Sequence, residues 1–464
     1  MAVRLLQTQS TATNLKKFTL SMWIKRGKIS KEQNVFVSHE SASDEMQVRF
    51  NANDTLEFTH YPNYGSTGYQ GRLITNRVFR DPAAWMHIVI TYDSTQSTNT
   101  NRVKIYVQGV QETSFSTTDY PDQNTDGAFG TSSYQFCFGT VSPSSTNSAF
   151  DGLLTHAHFT DGYAYAASDF GESDSVSGIW KPKTAPSVTY GNNGFFLKFE
   201  NSGAMGTDSS GNGNNFTVST GTITQNIDTP SNNFATLNPL VPTAAALAAH
   251  ANGFGNANLY NGDQSPNNWQ SVPATFGLST GKWYWELKDE SDWGSTSDST
   301  RRYGIADLKN IISTVSSSSD ANFSDGDYAY AYMNASGIRH NGSTLSGTTS
   351  THPTFQEGDF LMVAMDLTNL KLYFGKNGTW LNSGDPTSGS SGTGSVANLS
   401  SSAVYAPYVE TKYGSDNVSL NFGQGFFRTA SAGSNTDSAG IGKFKYTVPS
   451  GYYCICTKNI KDYG

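Results

Sequence analysis

The sequence predicts an all-β chain built as two antiparallel, jelly-roll-like β-sandwich domains joined by a short, partly helical linker. Three observations carry this. Apolar residues recur with period two along most of the chain. Tight-turn pairs such as Asn377-Gly378 interrupt those alternations where hairpins would close. Helix-forming sequence is confined to one short stretch, TAAALAAHA at residues 243–251.

In the first half, FTLSMWIK places Phe18, Leu20, Met22 and Ile24 on one face and Thr19, Ser21 and Lys25 on the other. WMHIVITYD sets Met86, Ile88, Ile90 and Tyr92 against His87, Val89 and Thr91. Both read as strands half-buried against a core. VKIYVQGV aligns Val103, Ile105 and Val107 and then turns at Gln108-Gly109. Pro242 and the breaker-rich TPSNNFATLNPLVP flank the helical stretch, which sets the domains at 1–226 and 255–464 with a linker at 227–254.

The second half repeats the alternation. KWYWEL opposes Trp283, Trp285 and Leu287 to Tyr284, Glu286 and Lys288, and DYAYAYM puts Tyr328, Tyr330 and Tyr332 on one face. LMVAMDL spans 361–367, and LKLYFGKNGTW aligns Leu370, Leu372 and Phe374 before its turn. Asn341-Gly342 after GIRH is a further hairpin signal. Two Ser/Thr/Gly/Asn tracts, near residues 390 and 435, read as long loops.

Composition excludes several classes. Of 464 residues only 15% are charged, against roughly 25% in a typical globular chain, while 13% are aromatic. The net charge is −8 with no run of Lys or Arg able to neutralise a row of phosphates, so neither nucleic acid nor an anionic membrane is an expected partner. MAVRLLQTQS carries no apolar signal core, and no window approaches a spanning helix, so a soluble chain without membrane insertion is expected. Three cysteines are too few for a disulfide scaffold. Cys454 and Cys456, at i and i+2, are expected side by side on one strand face and poorly placed to bridge; Cys137, between Phe136 and Phe138, reads as a small buried residue.

FTLSMWIK, WMHIVITYD, VKIYVQGV and FDGLLTHAHFTDG together resemble the strand series of laminin-G/concanavalin A-like sandwiches. STGKWYWELK, RRYGIAD, FQEGDFLMVAMDLTNLKLYFGKNGTW and APYVETKYGSDNVSLNFGQGFF resemble a SPRY module, through Gly358, Asp359, Asp366, Leu367, Leu372, Phe374, Lys376, Asn377 and Gly378. GFFLKFENSGAMGTDSSGNGNNFTV, DTPSNNFATLNPL and KYTVPSGYYCICTKNI resemble stretches of tailed-phage, especially marine, virion proteins. The resemblance implies a structural protein on the virion exterior, a tail fibre or head fibre/decoration, made in the host cytoplasm. It also implies other virion proteins as partners, a homotrimer, and host cell-surface carbohydrate as a ligand.

No catalytic residue is expected. Gly277-Leu278-Ser279-Thr280-Gly281 fits G-x-S-x-G but runs into a strand instead of the helix a nucleophile elbow needs. Glu286, Lys288 and Glu290 do not reproduce the E-x-D-x-E spacing of concanavalin-type glycosidases and read as solvated strand charges. The alternatives are a glycan-degrading depolymerase on that fold, or a purely structural component with no receptor role. Asp208, Ser210, Asn212 and Asn214 crowd oxygen ligands into a Gly-rich turn, a composition suited to Ca²⁺, although the absence of a spaced acidic set favours a turn held by its own side chains without an ion. Tyr61, Tyr64 and Tyr69 in HYPNYGSTGYQG, with Trp269 and Trp293, are the expected ligand or receptor contacts, since rigid amphipathic rings on polar loops give contact area at little entropic loss.

Overall fold

The computed structural model describes residues 2–40, 44–62, 68–240, 253–262, 269–291, 300–314, 323–326, 328–413 and 415–464. The chain divides into two compact units, Met1–Gln225 and Asn226–Gly464. Each is a pair of packed antiparallel sheets, the all-β sandwich expected of the alternating pattern. No helix among the described residues is long and apolar enough to cross a membrane.

In the first unit an eight-stranded sheet runs in the order Phe115–Asp119, Gly71–Val78, Thr55–Pro62, Asp44–Phe50, Gln33–His39, Gln135–Phe138, Arg4–Thr8, Thr217–Thr220. It faces a six-stranded sheet ordered Phe195–Leu197, Gly152–Asp161, Lys17–Arg26, Met86–Asp93, Val103–Val107, Val110–Gln111. Phe18, Leu20, Met22 and Ile24 meet Phe36, Val48, Phe58 and Phe136 in the core, as period two dictates. Gln108 and Gly109, at φ 52° and 79°, make the expected two-residue hairpin.

The opposite face of the six-stranded sheet is covered as well. Thr19 and Thr160 donate to the Tyr163 carbonyl, and Thr91 to that of Tyr165, so residues 163–190 lie across it. Trp23, Lys25, His87 and His158 are therefore buried on a face that alternation alone leaves to solvent.

The second unit pairs an eight-stranded sheet, centred on Lys282–Asp289, Phe360–Asp366 and Lys371–Lys376, with a six-stranded one ordered Gln270–Pro273, Tyr405–Thr411, Arg301–Asp307, Ala329–Met333, Ile338–His340, Ser343–Thr344. Trp283, Trp285, Leu287, Leu372 and Phe374 form the core with Tyr303, Ile305 and Tyr332. Both Asn-Gly hairpins are present, Asn341-Gly342 at φ 48° and 68° and Asn377-Gly378 at φ 50° and 90°. Tyr330 and Tyr332 pack on that core; Tyr328 precedes the strand and joins a separate cluster with Ala306 and Phe323.

Two expectations are corrected. The described part of the 227–254 segment is no free connector: Phe234, Ala235 and Leu237 are fully buried, Phe234 bridges to Cys456 and Leu237 to Ala274. A run of turn residues reads as a linker locally although its few apolar side chains close the second unit; the helical stretch 243–251 lies outside the described residues. Cys454 and Cys456 do not lie in a strand. The chain bends at Ile455, which brings their Sγ atoms to 3.7 Å, and both stay free and buried. With Phe444 and Tyr452 they cover the outer face of the eight-stranded sheet at Tyr284, Met362 and Tyr373.

Candidate functional site

Tyr61 ends the strand Thr55–Pro62 and shares a face with Glu57 and Thr59, opposite core-facing Leu56 and Phe58. Tyr69 stands two residues before the next strand, Gly71–Val78, its ring centroid 3.8 Å from that of Tyr61. The Arg72 guanidinium lies 4.4 Å over Tyr69 while its Nε donates to Glu57 at 2.8 Å. Arg49 holds the other Glu57 oxygen at 3.2 Å. The result is a half-buried aromatic pair braced from beneath by a buried carboxylate between two arginines. Tyr64 lies outside the described residues.

Trp269 packs on an arginine of the second unit. Its ring sits 3.7 Å from the Arg302 guanidinium, which donates to Glu410 at 2.8 Å and Ser324 at 2.7 Å. The indole thus covers a buried ion pair and supports the second unit, with only part of it exposed. Trp293 lies outside the described residues.

The TDSSGNGNN turn is held by its own donors. Asp208 Oδ1 accepts from the Phe196 and Ser210 amides, both at 2.8 Å, and Oδ2 from Ser210 Oγ at 2.7 Å and the Asn214 amide at 2.9 Å. Asn212 and Asn214 each donate to the Gly194 carbonyl, tying the turn to residues 191–194. Among the described residues no three or more His, Cys, Asp or Glu side chains are grouped to hold a metal ion.

A buried Ser–His pair, which the sequence does not announce, faces the wrong way for nucleophilic chemistry. Ser21 Oγ is 2.8 Å from His87 Nε2, and the Trp180 indole donates to His87 Nδ1 at 3.0 Å. An indole N–H can only donate, so Nδ1 accepts, Nε2 carries the proton and His87 donates to Ser21 instead of activating it. Burial pushes the imidazole down to about 3. Ser279 of the G-x-S-x-G stretch is exposed in a turn that leads into the strand Lys282–Asp289, with no helix behind it.

Glu286 is not a solvated strand charge. It is fully buried, accepting from Tyr284 Oη and from the amides of Lys445 and Tyr446, each at 2.9 Å, because the C-terminal segment packs over that face. Beside this point opens a cleft of about 460 Å³, lined by Trp380, Asp385, Thr387 and Tyr446 over Met362 and Val448. The KNGTW hairpin carries the one sequence signal for this cleft. The clue it offered was a Trp two residues past a tight turn, where a ring reaches a sheet edge.

Residues 4–164 match the family model described as the concanavalin A-like lectin/glucanases superfamily. The match covers most of the first sandwich. No curated protein matches the chain. Among solved structures, the SPRY domain of human HERC1 is similar at 17% identity and a TM-score of 0.27, over 35% of this chain and 87% of that one. The SAP-like pentraxin of Limulus polyphemus is similar at 14% identity and a TM-score of 0.26, over 36% and 72%. Domain 4 of AbnA, an extracellular GH43 arabinanase of Geobacillus stearothermophilus solved with arabinotriose, is similar at 15% identity and a TM-score of 0.24, over 34% and 65%.

Proposed function

We propose that the chain is a non-enzymatic structural protein on the exterior of a tailed-phage particle, a tail fibre or head fibre/decoration, that binds host-surface glycans as a homotrimer. The observation that carries the glycan reading is the match of residues 4–164 to the concanavalin A-like lectin/glucanases superfamily, together with the braced Tyr61–Tyr69 pair beside the outer face of a sheet. Aromatic faces of this kind stack on the apolar side of a sugar ring while their hydroxyls meet its polar edge. The phage placement is supported by the resemblance of GFFLKFENSGAMGTDSSGNGNNFTV and KYTVPSGYYCICTKNI to virion sequences. The non-enzymatic reading is supported by the reversed proton of the Ser21–His87 pair and the structural engagement of Glu286.

A glycan array probed with the intact chain, with and without Ca²⁺, tests the binding; binding that weakens in Tyr69→Ala is expected, and an array blank under both conditions would remove the adhesive role. Mass spectrometry of purified particles should find the chain, and its confinement to infected-cell cytosol would remove the virion role. Release of reducing ends from a bound polysaccharide would replace the reading with the depolymerase.

A further inference from the structure

We propose that the cleft in the second unit between Trp380 and Tyr446 is a separate saccharide site that takes a neutral pyranose. The proposal does not depend on the Tyr61–Tyr69 reading, which concerns the other unit.

The cleft combines what a sugar requires. Its floor is apolar, with Met362 and Val448 nearly fully buried, and its walls are two half-exposed aromatic side chains. Its volume of about 460 Å³ falls in the range of ordinary small-ligand pockets, roughly 300–1,000 Å³. Its rim supplies Asp385, Thr387 and Ser450, all exposed. Asp385 Oδ1 accepts from the Thr387 amide at 2.8 Å and hydroxyl at 2.6 Å, which leaves Oδ2 without a donor among the described residues and able to accept from a ligand hydroxyl. Those two bonds also hold the carboxyl below its ordinary range, so it stays an acceptor in mildly acidic water. Asp385 is the one charged side chain of the lining at neutral pH, and a negative charge at the rim opposes an acidic sugar.

The cleft is also held in shape before any ligand arrives. The Trp380 ring lies against Gly375, where an added Cβ would stand 3.2 Å from the indole, and meets Tyr284 edge-on at 6.4 Å. Tyr446 is fixed by the hydrogen bond its backbone N–H donates to Glu286 and by the edge of Phe360 at 5.9 Å. The loop carrying Asp385 is pinned by Tyr452 Oη on the Pro386 carbonyl at 3.0 Å and by the Asp385 amide on Thr393 at 2.9 Å. An aromatic, rigid, hydroxyl-rimmed cleft with a single free carboxylate oxygen suits a polyol with one apolar face better than an ion or an extended peptide.

The test is titration of the full chain with methyl α-D-glucopyranoside, methyl α-D-mannopyranoside and methyl β-D-galactopyranoside, followed by saturation-transfer NMR and calorimetry, with N-acetylneuraminic acid as the anionic probe. At least one neutral glycoside is expected to bind, with affinity falling about tenfold or more in Trp380→Ala at unchanged melting temperature. Asp385→Asn, on an exposed rim, is expected to weaken binding several-fold and keeps the test readable if Trp380→Ala misfolds. Absence of binding by all three glycosides, or binding by the anionic sugar alone, overturns the proposal. Binding that survives both variants undiminished and disappears in Tyr69→Ala also overturns it, while leaving the first-unit reading intact.

Discussion

The Tyr446 amide donates to the buried Glu286 carboxylate at 2.9 Å, and the Lys445 amide beside it donates to the other oxygen at the same distance. One side chain on a central strand thereby clamps the segment that covers the sheet. Glu286→Gln keeps the shape but turns an amide NH₂ toward a backbone N–H, leaving a buried donor unpaired at about 1–3 kcal/mol. A lowered melting transition is expected, with hydrogen-exchange protection lost at residues 445–446 and retained in the first unit.

Acid should unfold the first unit through its buried histidines. Burial pushes His87 down to about 3, and lowers His156 and His158 as well. An unfolded histidine titrates near 6.5, so below that pH the unfolded chain binds protons that the folded one refuses, and stability falls with pH. No loss from this source is expected above about pH 6.5. Between there and about pH 3 it should approach about 1.4 kcal/mol per pH unit for each histidine still neutral in the fold. Calorimetry from pH 8 to 4 should show a flat region and then a decline, and a decline made shallower by His87→Gln would assign that histidine its share.

Arg26 and Asp54 form a buried pair at 3.1 Å, with Arg80 and the Ser30 amide completing the Asp54 carboxylate. Asp54→Ala strands the Arg26 guanidinium among Phe50 and the Phe79 carbonyl. A loss of about 3–5 kcal/mol by denaturant titration is expected, well beyond that of an exposed pair such as Arg77–Glu112.

Asp208 should matter as an acceptor. Its oxygens already take four chain donors, so Asp208→Ala is expected to destabilise the first unit by about 1–3 kcal/mol. EDTA is expected to leave the melting temperature of the wild type unchanged, and a clear drop would show that the turn also holds a cation.

The parts of the fold written in local sequence were legible. Gln108-Gly109, Asn341-Gly342 and Asn377-Gly378 close the hairpins their left-handed preference requires, and Phe18 to Ile24 or Trp283 to Leu287 line cores as alternation demands. What alternation cannot say is whether the second face of a strand is also covered. His87 and Glu286 read as outward, and both are buried because distant segments, around Trp180 and Tyr446, fold back over them. The cleft escaped for the same reason: Trp380 and Tyr446 stand far apart in sequence and meet only through that return. The stacking of Trp269 on Arg302 is equally invisible in the sequence, since a tryptophan amid polar residues gives no sign of the arginine beneath it.

Each unit begins and ends on the same seam. Leu6 pairs with Thr217 in the first, and in the second Ala235 donates to Ile455 while Phe234 bridges Cys456. During synthesis, the first sandwich can close once Val218 has emerged from the ribosome, while the second is still being made. The second must wait for Cys456, so its apolar Phe234 and Tyr284 stay uncovered through nearly all of its translation. That interval, set by chain order, is when nascent chains are most open to association with one another, and a ribosome stalled short of residue 455 would hold a finished first sandwich beside an unfinished second one.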